Sequence, residues 1–275
     1  MLILLLCLSL VGEVKLDSGL SLYYISEGGG EPLLLLNGLG GTVAGWQATS
    51  DLLAKKFTVI RLDHRGMGKS GDLEGAYTVQ TMADDAAQVM NKLGYERYHV
   101  AGMSLGSFAA QTLTLSYPKR VKRLVLIGSS AGGPTHVIPD GEVMTFFQTM
   151  ATMTAEERTR KGLTLSLDPA FLSANPEFVT TYVSHSLAHP SSPAVVQRQF
   201  FAGLGFNNSE LAKDIASPTL VLHGVGDRIV PTQNGRNLAK LIANSKLVIL
   251  ENSGHVSIMD AADKTAAAMI SFLSP

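Results

Sequence analysis

Ser104 stands at the centre of Gly102-Met103-Ser104-Leu105-Gly106, between the apolar run Tyr98 to Ala101 and the helix-patterned stretch Leu105 to Tyr117. A serine on a strand-to-helix turn of this kind is held on a strained backbone with its hydroxyl exposed, and the flanking glycines let strand and helix pass closely. At neutral pH the hydroxyl needs a base to take its proton and a carboxylate to orient that base. The chemistry so equipped is attack on a carbonyl carbon.

Of the seven histidines, His255 is placed best to be the base: it follows the apolar run Lys246 to Glu251 by four residues, in Asn252-Ser253-Gly254-His255. Reactive groups of an open parallel sheet gather in the loops that leave the carboxyl ends of its strands. Asp227 meets the same condition after Leu220 to His223, with Pro231 expected to open the helix that follows. The other histidines have plainer expectations. His99 falls inside a strand and reads as structural. His223 ends a strand and is expected to be structural, with support of the acid loop as the alternative. His64, in Asp63-His64-Arg65-Gly66-Met67-Gly68, is expected to support the site from behind, and His185 and His189 to lie on helix surfaces.

Attack on a carbonyl creates an oxyanion, which rigid backbone N–H groups meet without reorganisation. The natural donors are the amide of Leu105, next to the nucleophile, and the amide of Leu39, in the glycine-rich turn Asn37-Gly38-Leu39-Gly40-Gly41. That turn has neither the spacing of a dinucleotide loop nor the Lys-Ser/Thr of a P-loop.

The elements that must hold these groups are legible as pattern. Glu13 to Ser26 reads as a hairpin turning at Asp17-Ser18-Gly19. Pro32 to Asn37, Phe57 to Asp63, Tyr98 to Met103, Arg123 to Gly128, Pro218 to His223 and Lys246 to Glu251 are short apolar runs, as in parallel strands buried on both faces. Helical periodicity fills Thr78 to Leu93, Leu105 to Tyr117, Gln233 to Ala243 and Ala261 to Leu273. Alternation of this kind predicts a doubly wound α/β sheet. It stops between Gly128 and Pro218, where helix-like segments broken by glycine and proline predict a helical insertion. The expected division is a core over 1–133, a helical cap over 134–217 and the rest of the core over 218–275.

Composition narrows the partners. With 275 residues, 45% hydrophobic, 16% charged and a net charge of −1, the chain is too apolar for disorder and carries no basic run suited to nucleic acid. Cys7 is the sole cysteine, which excludes an internal disulfide framework. Met1 to Val11 is apolar but too short to span a bilayer, and it lacks the basic start and small-residue cleavage site of a signal peptide. The expected setting is the cytoplasm, with secretion as the alternative; stable membrane insertion is not expected.

Asn37-Gly38-Leu39-Gly40-Gly41, Asp63-His64-Arg65-Gly66-Met67-Gly68-Lys69-Ser70, Gly102-Met103-Ser104-Leu105-Gly106, Gly224-Val225-Gly226-Asp227-Arg228-Ile229-Val230-Pro231 and Ser253-Gly254-His255 occur in this order. The set resembles the α/β-hydrolase fold superfamily over Val14 to Leu273, the cap excepted. The chain is most similar to the branch of small carboxylesterases, 3-oxoadipate enol-lactonases and cofactor-free haloperoxidase-like enzymes. The resemblance implies an eight-stranded, mostly parallel sheet, a helical cap and a cofactor-free triad of Ser104, His255 and Asp227. Serine in place of the aspartate nucleophile of dehalogenase relatives favours ester-type acyl transfer. Ser107 replaces a frequent glycine, and Val256-Ser257-Ile258-Met259-Asp260 lacks the aromatic, glutamate and proline common in relatives.

The expected activity is hydrolysis of a small, largely apolar ester or lactone through an acyl-enzyme. Perhydrolysis, C–C bond hydrolysis, acyl transfer and slow-turnover ligand binding are the alternatives. Specificity falls to the cap, where Phe146-Phe147 and Phe200-Phe201 are adjacent pairs, so that at least one member of each is expected to face the site.

Overall fold

The structure, a computed structural model, describes residues 9–75, 77–188 and 191–274. Most of the apolar opening segment, with Cys7, and His189 lie outside the described residues. The first half of the core comprises β1 (Leu10–Lys15), β2 (Ser21–Gly28), β3 (Glu31–Leu36), α1 (Gln47–Leu53), β4 (Phe57–Leu62), α2 (Val79–Lys92), β5 (Tyr98–Met103), α3 (Leu105–Ser116) and β6 (Val121–Ile127). Five helices follow: α4 (Gly141–Thr149), α5 (Ala155–Ser166), α6 (Pro169–Ala174), α7 (Pro176–Ala188) and α8 (Pro193–Leu204). The chain then returns to the sheet with β7 (Thr219–Gly224), α9 (Gln233–Leu241), β8 (Ser245–Leu250), α10 (Ser257–Asp260) and α11 (Ala262–Leu273).

The eight strands form one sheet in the order β1-β2-β4-β3-β5-β6-β7-β8. From β4 to β8 every neighbouring pair is parallel, while β2 runs antiparallel to both β1 and β4. Successive strand residues point to opposite faces, so a leucine run can feed two cores at once. In β3, Leu34 and Leu36 pack with α2 and α3, whereas Leu33 and Leu35 pack with Trp46, Leu53 and Met269 on the other side. This is the doubly wound α/β sheet that the apolar runs predict.

One local expectation is corrected. Pro231 does not open its helix; it sits in the turn ahead of Thr232, the residue that caps α9. The interval between β3 and β4 holds α1, seven residues too short and too mixed in character for periodicity to betray. In the inserted helices, Pro169, Pro176 and Pro193 each occupy the first helical position, where a missing N–H costs nothing. These three breaks in the pattern are therefore helix starts. Among the described residues no helix is long and apolar enough to cross a membrane.

The parallel strands all point their carboxyl ends the same way. Asn37, Ser104, Gly128, Asp227 and His255 thus fall on one rim, each in the loop after a different strand.

Candidate active site

Ser104 has φ 53° and ψ −123°, a left-handed backbone that a non-glycine residue adopts only when its surroundings impose it. Two glycines create those surroundings. A Cβ on Gly102 would lie 2.2 Å from the Gly106 carbonyl oxygen, and one on Gly106 would lie 2.4 Å from the Leu36 carbonyl oxygen. Strand β5, helix α3 and the end of β3 therefore meet backbone to backbone. The Ser104 amide donates to the Ile127 carbonyl at 2.9 Å, tying the turn to the end of β6. Buried Ser107 Oγ donates to the Ser104 carbonyl at 2.5 Å and accepts from Ser129 Oγ at 2.7 Å. The hydroxyl that replaces a glycine here reinforces the turn from below.

Asp227 is buried with every acceptor position used. Its Oδ1 takes the amides of Ile229 at 3.0 Å and Val230 at 2.8 Å. Its Oδ2 lies 2.8 Å from His255 Nδ1 and 3.0 Å from His223 Nε2. Burial pushes the carboxyl up, but the His255 charge and hydrogen bonds from both imidazoles outweigh it and hold the group at about 2. With Nδ1–H donating to Asp227, the tautomer of His255 leaves Nε2 as the basic nitrogen. His223 Nε2 also donates to the Val230 carbonyl at 2.7 Å, so this histidine does support the acid loop.

The base loop is fixed by contacts that sequence reasoning did not find. The His255 amide donates to the Ser166 carbonyl, at the end of α5, at 2.7 Å. Asp260 accepts from Gly254 N at 2.7 Å, Asp168 N at 2.9 Å and Ser253 Oγ at 2.8 Å. A segment without the usual aromatic, glutamate and proline thus supports the histidine through one carboxylate. An acid inside an otherwise apolar stretch was the available signal.

Asp227 and His255 are brought into direct hydrogen bonding; Ser104 Oγ and His255 are not hydrogen-bonded in this structure. Their neighbourhood is shared, since the residue bonded to Ser104 N is Ile127 and a Cβ on the next residue, Gly128, would sit 3.0 Å from His255 Nδ1. Such bonds are often long before substrate binds. Leu39 lies in a turn closed by Gly41 N donating to the Gly38 carbonyl at 3.0 Å, with Gly40 at φ 69°. Ser104 Cβ is 3.1 Å from where a Gly38 Cβ would stand, so the turn overhangs the nucleophile. Neither the Leu39 nor the Leu105 amide has an intramolecular acceptor among the described residues.

The remaining histidines keep to supporting places. His99 Nε2 bonds to Glu31 Oε2 at 2.7 Å. His64 is wholly buried against the Asn37 backbone, and burial depresses it to about 4. The cap phenylalanines form rows: Phe146, Phe147, Phe200 and Phe201 follow one another at centroid spacings of 5.6, 5.5 and 6.0 Å, joining α4 to α8. Phe171, Phe178 and Tyr182 form a second row, at 5.2 and 6.0 Å, across α6 and α7.

Residues 31–262 match the family described as the alpha/beta hydrolase fold. The chain belongs to that family. Among curated relatives of this α/β-hydrolase, a Caulobacter sp. (strain K31) protein named "Putative carbamate hydrolase RutD" is 32% identical over 249 residues, covering 89% of this chain and 91% of the relative. A thermophilic esterase from Thermogutta terrifontis is 25% identical with a TM-score of 0.79, covering 96% of this chain and 98% of the other. An enol-lactonase from Burkholderia xenovorans LB400 superposes with a TM-score of 0.84 at 23% identity, over 96% and 100% of the two chains, a likeness of fold. Names and fold agree on a hydrolase acting on a small molecule.

Proposed function

We propose that this α/β-hydrolase cleaves a carboxylic ester or lactone of a small, largely apolar molecule through a covalent acyl-enzyme. The observation that carries the proposal is the 2.8 Å bond from His255 Nδ1 to Asp227 Oδ2, made at the rim where Ser104 stands on its strained turn. Ser104 Oγ attacks the carbonyl carbon while His255 Nε2 takes its proton. Asp227, ionised and fully hydrogen-bonded, stabilises the imidazolium that results. The amides of Leu39 and Leu105 receive the oxyanion. As the tetrahedral intermediate collapses, His255 returns the proton to the leaving oxygen, and water then repeats the sequence on the acyl-enzyme. Positioned general-base help is worth roughly 10²- to 10⁴-fold in rate, and one oxyanion donor about 10²- to 10³-fold.

The segment 134–217 sets the substrate, because the triad itself is generic. The relatives add carbamates to the substrate classes, on the strength of the name borne by the 32%-identical protein. A carbamate carbonyl is attacked by the same serine, with nitrogen or oxygen leaving, so the second reading uses the same residues. A panel of p-nitrophenyl esters, lactones and carbamates, run with wild type and Ser104→Ala, tests both. Turnover with a burst of p-nitrophenol that Ser104→Ala abolishes is expected. Full turnover by Ser104→Ala would overturn the mechanism, and preference for carbamates over matched esters would move the substrate class.

A further inference from the structure

We infer that Gln199, on cap helix α8, is a positioning residue for the oxyanion turn, so that the cap takes part in stabilising the transition state as well as in choosing the substrate. This rests on the proposed serine mechanism and extends it.

Gln199 is fully buried, and both ends of its amide are committed across the boundary between cap and core. Its Oε1 accepts from the Gly40 amide at 2.9 Å, and its Nε2 donates to Tyr77 Oη at 2.8 Å. The donor character of a backbone N–H settles which end is oxygen, so the amide orientation follows from its partners. Tyr77 is itself buried, ahead of α2, and gives the side chain a rigid anchor.

The bond matters because of where Gly40 lies. In the turn Gly38 to Gly41, Leu39 and Gly40 are the two central residues, and the positive φ of Gly40 is the mark of a type II turn. Type I and type II turns differ chiefly by a flip of the central peptide, the one between Leu39 and Gly40. Gln199 Oε1 holds the N–H of that peptide, and so holds the turn in one form. The adjoining peptide carries the Leu39 N–H that would meet the oxyanion. If the central peptide rotates, the Leu39 amide is no longer held in aim, and a misplacement of about 1 Å can cost about 100-fold in rate.

Helix α8 is a sound mount for this task. Arg198 donates to the Leu73 carbonyl at 3.0 Å and pairs with Asp72, while Val195 packs so closely on Gly66 that a Cβ there would lie 2.7 Å from it. Contacts from two neighbouring turns, at Val195 and at Arg198, therefore seat α8 on the core loops around Gln199.

The test compares Gln199→Met, which removes both bonds at similar volume, and Tyr77→Phe, which removes only the anchor. Two ligands are measured by competition: an alkyl boronic acid, which bonds to Ser104 Oγ and places a tetrahedral oxygen in the oxyanion site, and the product carboxylic acid. For Gln199→Met we expect kcat to fall about 10- to 100-fold and boronate affinity to fall in parallel, with KM and product affinity within about twofold. Tyr77→Phe is expected to show the same pattern at smaller size, and decides the matter if Gln199→Met does not fold. Unchanged boronate affinity in a folded variant, or equal losses for boronate and product, would overturn the role. Wild-type enzyme whose boronate binding is untouched by Ser104→Ala would instead overturn the serine mechanism, which separates the two failures.

Discussion

His223 Nε2 lies 3.0 Å from Asp227 Oδ2, the same oxygen that bonds to His255. One carboxylate oxygen thus orients the base while being oriented by a second imidazole four residues away. His223 is buried with Nδ1 unpartnered, and its Nε2 faces both Asp227 Oδ2 and the Val230 carbonyl. A glutamine amide can place a donor nitrogen near the same point; a leucine cannot. We expect His223→Leu to lose about tenfold or more in kcat/KM and His223→Gln to retain most of it, as steady-state kinetics would register.

Asp260 invites a similar contrast. Alanine there strands three donors, two of them backbone amides, at about 1–3 kcal/mol for each group left buried and unsatisfied. Asparagine can turn its oxygen to the Gly254 and Asp168 amides and its nitrogen to Ser253 Oγ, which can accept. Chemical denaturation should therefore show Asp260→Ala losing roughly 3 kcal/mol or more and Asp260→Asn far less. Activity should follow stability, since the His255 loop depends on this residue.

The pH dependence of stability carries a contribution from His64. It stays neutral in the folded protein down to about 4, against 6.5 when unperturbed, because burial penalises its charge. As pH falls from 6.5 to 4 the unfolded chain takes up a proton that the folded chain refuses, so stability present above pH 6.5 is progressively lost. The shift corresponds to about 3 kcal/mol. Urea titrations at a series of pH values should show that slope in wild type, and His64→Asn should flatten it.

Gly106→Ala tests the crossing beneath the nucleophile. The added methyl meets backbone oxygens of Leu36 and Asn37 at 2.4 and 2.5 Å, where no side-chain motion gives relief. Helix α3 would have to withdraw from the end of β3. A fall in Tm of roughly 6–12 °C is expected, corresponding to about 3 kcal/mol at this size. Calorimetry would measure it.

Much of the architecture was legible because it is written locally. Leucine runs such as Leu33 to Leu36 fit strands covered on both sides, and the loops after such runs hold Ser104, Asp227 and His255. Helix α1 escaped because seven residues give two turns, too few for a period to show. The contacts that hold the proposed catalytic groups escaped for a different reason. Gln199 meets a residue 159 positions away, and Asp260 one 92 positions away, so neither leaves a local trace. The paired phenylalanines illustrate the limit: adjacency says that neighbouring side chains diverge, but only the fold shows the four rings running as one row between α4 and α8.

The inserted helices touch each loop of the proposed site by a separate route. Asp140 and Glu142 pair with Arg228 beside the acid, Ser166 and Asp168 engage the base loop, and Gln199 holds the oxyanion turn. Specificity in this protein is consequently not a detachable module. An engineer who exchanged the segment for that of a relative would import a new pocket and sever three alignments at once, unless the graft kept the Asp140, Glu142 and Gln199 side chains, the Ser166 carbonyl and the Asp168 amide in register. Substitutions inside the two aromatic rows leave these polar contacts in place and change only the apolar packing that the rows share with Ile229, Val256 and Met259.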